Sequence, residues 1–304
     1  MNVGDMNVEQ MMDRIVVTKD EIDEATGDYI VTDYKVKSTD GYLEQLKKYY
    51  KEDRGAGYSL PWSKLESNFG IRKGELTVFT GVSGHGKSMM LSQISLYLMH
   101  MTKVLIASME MKPVLTLSRM IQQRLGDPNP TEKYLEEFCQ YYQDKLYIYD
   151  QQGVTNSQDM FAMLAYGKLV LDIDVFVIDS LMKISDVAED NYEQQKVFID
   201  RLASYCRDLD IHVFLVCHTR KMSDEHQTPD ATNIMGSSHI RNLSDNIVLC
   251  FRDRSVSERI EEGDEDAKDL PNAYLYVQKQ RNYTWEGRLP LWFNEKSLTY
   301  KETR

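Results

Sequence analysis

The segment Gly81-Val82-Ser83-Gly84-His85-Gly86-Lys87-Ser88 fits the spacing G-x-x-x-x-G-K-[ST] in full. Residues of these types in this order suit the binding of a phosphate chain. Glycines let the backbone turn so that successive N–H groups face the phosphates. A helix starting near Lys87 adds the positive end of its dipole. Lys87 supplies a point charge for β- and γ-phosphates, and the Ser88 hydroxyl is a ligand for Mg²⁺. Gly81, Ser83, Gly84, His85 and Gly86 make up the rest of the expected cradle.

Five further residues could work on the bound phosphates. Val175-Phe176-Val177-Ile178-Asp179 is an apolar strand ending in a carboxylate, and Asp179 would hold Mg²⁺ through its water shell. In Val104-Leu105-Ile106-Ala107-Ser108-Met109-Glu110, the carboxylate of Glu110 lies just past another strand and could polarise an attacking water. The plainer alternative is a solvated Glu110 or one paired with Lys112. His218 closes the run 213–217 at the edge where ligands bind in open α/β sheets, and it could hydrogen-bond a γ-phosphate. A structural histidine is the alternative. In Gln278-Lys279-Gln280-Arg281-Asn282, alternation puts Lys279 and Arg281 on one face. Two neighbouring cations repel unless they share an anion. The choice is a phosphate bound by a neighbouring subunit, reached by an arginine finger, or a solvated edge strand.

The elements that must position these groups are legible from the apolar pattern. Strands are expected at 76–80, 104–108, 146–149, 175–178 and 213–217. Helices are expected at 88–101, 113–125, 131–142, 157–171 and 193–209, with Leu91, Ile94, Leu98 and Met101 on one face of the first. Strands that are apolar throughout imply parallel strands covered on both sides. Their alternation with helices gives an α/β sheet. After Asn246, the runs 247–251, 274–280, 289–294 and 298–300 are strand-like with no helix between them, an antiparallel extension. The acidic stretch 253–269 reads as a solvated loop, and Asp172 and Asp174 as turn residues. A short amphipathic helix is expected at 42–51, with Leu43, Leu46 and Tyr50 on one side. It could pack on its own domain or dock on a neighbouring subunit.

The 304 residues allow one large domain or two modest ones. The expected division is an N-terminal extension at 1–56 and one domain at 57–304. A formal charge of −12 argues against a broad basic surface for duplex DNA, though not against a basic lining inside a groove or ring. Cys139, Cys206, Cys217 and Cys250 form no C-x-x-C pair, so they read as reduced, buried thiols rather than a zinc site. No apolar signal core and no run long enough for a membrane span occur. The start is not Arg-rich and acid-poor, so the expected compartment is the cytoplasm of a bacterial or phage-infected cell.

Taken together, the phosphate loop, SMEM, VFVIDS, LVCH, GSSHIRNLSD and KQRN follow the order found in DnaB-type replicative helicases. The sequence resembles most the helicase half of phage primase–helicases and of the Twinkle helicase. The likeness runs over about residues 57–300. It implies a RecA-like core in a ring of usually six subunits, moving 5′→3′ on single-stranded DNA at the expense of ATP or dTTP with Mg²⁺. It implies Lys87, Ser88 and Asp179 as the phosphate and metal groups and Glu110 as general base. It further implies His218 as γ-phosphate sensor, and Arg281 with Lys279 as the finger given to the adjacent nucleotide. The stretch 221–241 matches the central loop that grips DNA, through Arg220, Lys221, Gly236, Ser237, Ser238 and Arg241. Relatives often carry Arg where this chain has Met235. The helix at 42–51 matches the subunit-linking helix, whereas residues 1–60 offer neither the length nor the zinc cysteines of a primase domain. A separate primase and polymerase are the expected partners. The competing class is a RecA-like recombinase or filament ATPase that binds DNA without unwinding it.

Overall fold

The computed structural model describes residues 38–51, 57–187, 191–219, 230–234 and 238–303. Nine strands form one sheet in the order β3-β2-β4-β5-β1-β6-β7-β8-β9. They are β1 (Leu76–Gly81), β2 (Val104–Ser108), β3 (Leu146–Ile148), β4 (Val175–Asp179), β5 (His212–His218), β6 (Asn246–Arg252), β7 (Ala273–Gln280), β8 (Gly287–Asn294) and β9 (Thr299–Lys301). The first six in chain order are mutually parallel, and β7, β8 and β9 are antiparallel. The expected α/β sheet with an antiparallel C-terminal part is the observed architecture. One detail differs. The run 247–251 lies inside β6, which pairs parallel with β1 and antiparallel with β7. It is the seam between the two halves rather than part of the extension.

Helices cover both faces, as fully buried strands require. They are α1 (Leu43–Lys51), α2 (Lys87–Leu98), α3 (Pro113–Leu125), α4 (Glu132–Tyr142), α5 (Ser157–Leu169), α6 (Tyr192–Asp208), α7 (Ser238–Leu243) and α8 (Arg254–Glu261). Their starts follow local chemistry. Thr131, Asn156 and Asn191 accept hydrogen bonds from the backbone N–H groups of Tyr134, Asp159 and Gln194. Pro113 opens α3, and Gly126 closes it with φ of 80°. Alternation along β1 sends Leu76 and Val78 to a core with Phe161, Phe176, Leu202 and Tyr205, and Phe79 to a second core with Trp62, Met90, Phe214 and Tyr300.

The acidic stretch 253–269 is not the expected loop. It holds α8 and a 3₁₀ turn at Glu265–Asp269. Asp253 and Asp264 cap these elements through their carboxylates, Val256 and Ala267 are buried, and Arg259 donates twice to Asp264. Acidic side chains at both N-termini make this density of charge compatible with helix. Helix α2 ends at Leu98, so Met101 lies beyond it and is 43% exposed, outside the buried face expected for it. Asp174 is no simple turn residue. Its carboxylate accepts from Lys73 and Lys168 at 2.7 Å, Tyr58 at 2.9 Å and Thr102 at 3.0 Å, which holds it at about 2 against the cost of burial. Cys206, Cys217 and Cys250 are buried free thiols, but Cys139 on α4 is exposed. Every residue of α1 is exposed, Leu43, Leu46 and Tyr50 included.

Candidate functional site

The glycine-rich segment sits between the end of β1 and the start of α2, at the C-terminal edge of the parallel strands. Three of its glycines have positive φ, at 149° for Gly81, 79° for Gly84 and 85° for Gly86. Two of them are also places of close approach. A Cβ on Gly81 would stand 2.2 Å from the Cys250 carbonyl oxygen, and one on Gly86 would stand 2.1 Å from the Tyr300 hydroxyl. Neighbouring strands β6 and β9 therefore press on the loop from outside, and only glycine fits.

Lys87 is buried and donates to the carbonyl oxygens of Gly81 at 2.9 Å and Val82 at 3.2 Å. Burial lowers its ammonium below the usual lysine range. Ser88 Oγ donates to Asp179 Oδ2 at 2.5 Å. Burial of Asp179 raises its carboxyl, and the Ser88 bond works against that rise. His85, on the loop's inner side, accepts from the Arg252 N–H at 3.2 Å through Nδ1. Burial, with Arg254, Lys87 and Arg252 nearby, pushes its imidazole down to about 4, so it is neutral. Ser83 and the other loop residues occupy the turn itself.

Glu110 is brought to the same edge by β2, whose Ser108 stands in register with Asp179 of β4. Its Oε1 accepts from Ser180 Oγ at 2.8 Å and lies 3.5 Å from His218 Nε2. Hydrogen bonding to His218 and Ser180 outweighs desolvation and holds the carboxyl at about 2. His218 ends β5 directly opposite Gly81. The alternative pairing of Glu110 with Lys112 is not the arrangement observed. Lys87, Ser88, Asp179, Glu110 and His218 thus converge at the ends of four adjacent strands, β1, β5, β4 and β2.

Lys279 and Arg281 are elsewhere. Gln280 pairs with Asn246, and Asn246 with Thr77 near the start of β1. About 13 Å of strand separates that level from Gly81. Both cations lie at the opposite edge of the sheet from the loop of their own chain. Lys279 Nζ donates to the carbonyl oxygens of Arg241 and Ser244 at 2.6 Å, at the end of α7. Of the residues expected to touch DNA, Ser238 and Arg241 lie on α7. Arg220, Lys221, Gly236 and Ser237 lie outside the described residues.

Several residues around the site escaped the sequence reading. Ser180 positions Glu110, and its place directly after Asp179 was the available signal. Arg254 reaches the Gly84 carbonyl at 3.5 Å, and Arg252 stacks its guanidinium 4.1 Å from the Phe293 ring centre. Tyr300 touches Gly86 across 214 residues of chain, a contact without local signal.

Ser88 and Asp179 present hydroxyl and carboxylate oxygens side by side, the hard donors that Mg²⁺ takes. A cavity of about 10 Å³ adjoins them, lined also by Ser108 and Thr116, whose buried hydroxyls have no partner. That is room for one water molecule. Among the described residues, no three His, Cys, Asp or Glu side chains could hold a metal alone. A divalent cation here would share its shell with water and phosphate oxygens. Among the described residues, no helix is long and apolar enough to cross a membrane.

The family model for the DnaB-like helicase C terminal domain matches residues 62–302. The DNA helicase/primase of Enterobacteria phage T3 is 26% identical over 231 residues, covering 69% of this chain and 39% of that protein. The Twinkle homolog protein, chloroplastic/mitochondrial, of Arabidopsis thaliana is 24% identical over 264 residues, covering 79% of this chain and 36% of that protein. The chain thus spans less than two fifths of these curated relatives. A solved structure described as an ATPase domain superposes with a TM-score of 0.71 at 15% identity, over 89% of this chain and all of that one. A DnaB-like replicative helicase, solved with attention to its interactions with primase, superposes with a TM-score of 0.67 at 15% identity, over 97% and 74% of the two chains.

Proposed function

The chain belongs to the DnaB-like helicase C terminal domain family, and from that premise we propose that residues 57–304 are the motor of a replicative ring DNA helicase. The motor hydrolyses ATP or dTTP between subunits and moves 5′→3′ on single-stranded DNA. The observation that carries this reading is the division of the charged groups between two edges of one sheet. Lys87, Ser88, Asp179, Glu110 and His218 share the C-terminal edge. Arg281 and Lys279 occupy the other, where they could serve a nucleotide bound by an adjacent subunit but not their own.

Each residue has a definable task. The loop amides and Lys87 bind the β- and γ-phosphates, and Lys87 exchanges its carbonyl partners for them. Ser88 and Asp179 would hold Mg²⁺, which when bound neutralises phosphate charge. Glu110, ionised and held by Ser180 and His218, orients a water for in-line attack and takes up its proton. His218, between the loop and Glu110, responds to loss of the γ-phosphate. Arg281 stabilises the charge of the transition state in the adjacent subunit's site. Ser238, Arg241, Arg220, Lys221, Gly236 and Ser237 contact the strand. A few cations per subunit suffice, because a ring of six gathers them into one basic channel, which suits a net charge of −12. The helix α1, fully exposed within its own chain, fits a role in linking subunits. Primase and polymerase are separate partners.

The test is hydrolysis of ATP and dTTP with and without single-stranded DNA, together with unwinding of a forked duplex bearing a 5′ tail. DNA-stimulated hydrolysis with strand separation is the expected result. Stimulated hydrolysis without unwinding favours a recombinase or filament ATPase, and no response to DNA overturns the proposal.

A further inference from the structure

The surroundings of Arg281 point to a residue that no part of the proposed mechanism yet uses. Asp245 is the last residue before β6, and its side chain is only 8% exposed. It is gripped by the start of β1 from both sides. Its own N–H donates to the Leu76 carbonyl at 2.9 Å, and its Oδ2 accepts from the Leu76 N–H at 2.9 Å. The carboxylate therefore cannot swing. Its other oxygen, Oδ1, lies 3.3 Å from Arg281 Nη1. Arg281 is half exposed, so the N–H groups of its guanidinium that face neither Asp245 nor α7 reach solvent.

A second set of bonds joins the same strand end to α7. Lys279 donates to the carbonyl oxygens of Arg241 and Ser244, and more weakly to Asn242 at 3.4 Å. Arg281 Nη2 also reaches the Asn242 carbonyl at 3.4 Å. Two cations thus meet the negative end of α7, where helices leave carbonyls unsatisfied. Burial and the nearby Arg281 lower the Lys279 ammonium below the usual lysine range, and Asp245 works against that fall. The helix is itself seated by the buried side chain of Ile240 and packs on α6. The two cations that should repel are reconciled within the chain, by one buried carboxylate and one helix end.

We propose that Asp245 is a positioning residue for Arg281, and that Lys279 locks the end of α7 to the same strand so that α7 and the Arg281 side chain move as one body. The proposal rests on the reading of Arg281 as a group that serves the adjacent subunit. Asp245 touches no phosphate. It fixes Nη1, so that the solvent-facing N–H groups of the guanidinium arrive at the neighbouring site in one geometry. Because α7 carries Ser238 and Arg241, a shift of this helix on the DNA strand is passed to Arg281 through the bonds that Lys279 and Arg281 make to its carbonyl oxygens.

The test is a double-mutant cycle on the full chain assembled with single-stranded DNA. Asp245→Asn keeps one oxygen for the Leu76 N–H and removes the charge facing Arg281. The expected result is a fall in kcat of about 10²-fold, the scale of a misplaced catalytic group, with unchanged affinity for a fluorescent nucleotide analogue. In the Arg281→Ala background, Asp245→Asn should lower kcat no further. A residue that only stabilised the fold would lower it in both backgrounds, and that outcome overturns the proposal. If Asp245→Asn fails to melt cooperatively, Lys279→Gln replaces it in the same cycle, with the same expected non-additivity and the same overturning result. Normal turnover in Arg281→Ala alone would refute the role of Arg281. Loss in Arg281→Ala with normal kcat in Asp245→Asn would refute only the role of Asp245.

Discussion

The Tyr300 hydroxyl lies 3.4 Å from the Gly86 carbonyl oxygen, so the last strand of the sheet closes on the phosphate loop. Two other groups hold Tyr300 in place. Its backbone N–H donates to Gln93 at 2.7 Å, and its carbonyl accepts from the Trp62 indole at 3.1 Å. The loop's shape is thereby dictated in part by a residue near the other end of the chain. Gly86→Ala should therefore destabilise the protein by roughly 1–3 kcal/mol, as overpacking does, and weaken nucleotide binding. Tyr300→Phe should restore part of that stability in the double variant, since the next ring atom is 3.5 Å from the added Cβ. Thermal melting of the four proteins checks this, and equal losses with and without the hydroxyl would refute it.

Glu110→Gln should retain nucleotide binding and lose hydrolysis by about 10²–10⁴-fold, the range for removal of a general base. Ser180→Ala should have a smaller effect in the same direction, because it releases one of the two groups that hold the carboxylate. Single-turnover hydrolysis and equilibrium binding separate the two steps. A Glu110→Gln protein that hydrolyses normally removes Glu110 from the mechanism.

Lys87→Ala should abolish hydrolysis within its own subunit. Arg281→Ala should bind nucleotide and turn over about 10³-fold more slowly or worse. When Arg281→Ala chains are mixed with wild-type chains, activity should fall faster than the mutant fraction rises. A linear decline would mean that Arg281 does not act across an interface.

Acid should destabilise the fold through two buried histidines. His85 and His212 are both depressed from 6.5 to about 4 by burial. His212 shares a proton with the Arg72 carbonyl through Nδ1 at 2.7 Å, so Nδ1 carries it, and Nε2 is buried without a partner. Charging it would strand a buried donor. Charging His85 would break its bond from the Arg252 N–H. The unfolded chain takes up these protons near pH 6.5 and the folded chain only near 4. Stability is thus full above about 6.5 and falls toward pH 4, by at most about 1.4 kcal/mol per pH unit for each ring. Glu110, lowered from 4.5 to about 2, adds a second loss only below pH 4.5. Urea midpoints between pH 7 and 4 check this; a flat profile there would contradict it, and His85→Gln should reduce the slope.

The sequence by itself determined the parallel half of the fold and which polar residues stand at its edge. The runs that became β1, β2, β4 and β5 are apolar on both faces, and each ends in or is followed by a polar member of the candidate site: the glycine-rich loop, Glu110, Asp179 and His218. Period and punctuation are local properties, so they survive without a structure. Tertiary structure decided what depends on contacts distant in the chain. Residues 253–269 form helix because Asp253 and Asp264 cap it and buried Val256 and Ala267 anchor it, although charge density alone suggested a loop. The partners of Lys279 and Arg281 are the end of α7 and Asp245, more than thirty positions away. The pressure of Cys250 and Tyr300 on the glycines of the loop comes from β6 and β9, which follow it by more than 160 residues. Local spacing can nominate a cation or a glycine for a task, but only the packed sheet brings the carboxylate, carbonyl or hydroxyl that holds it there.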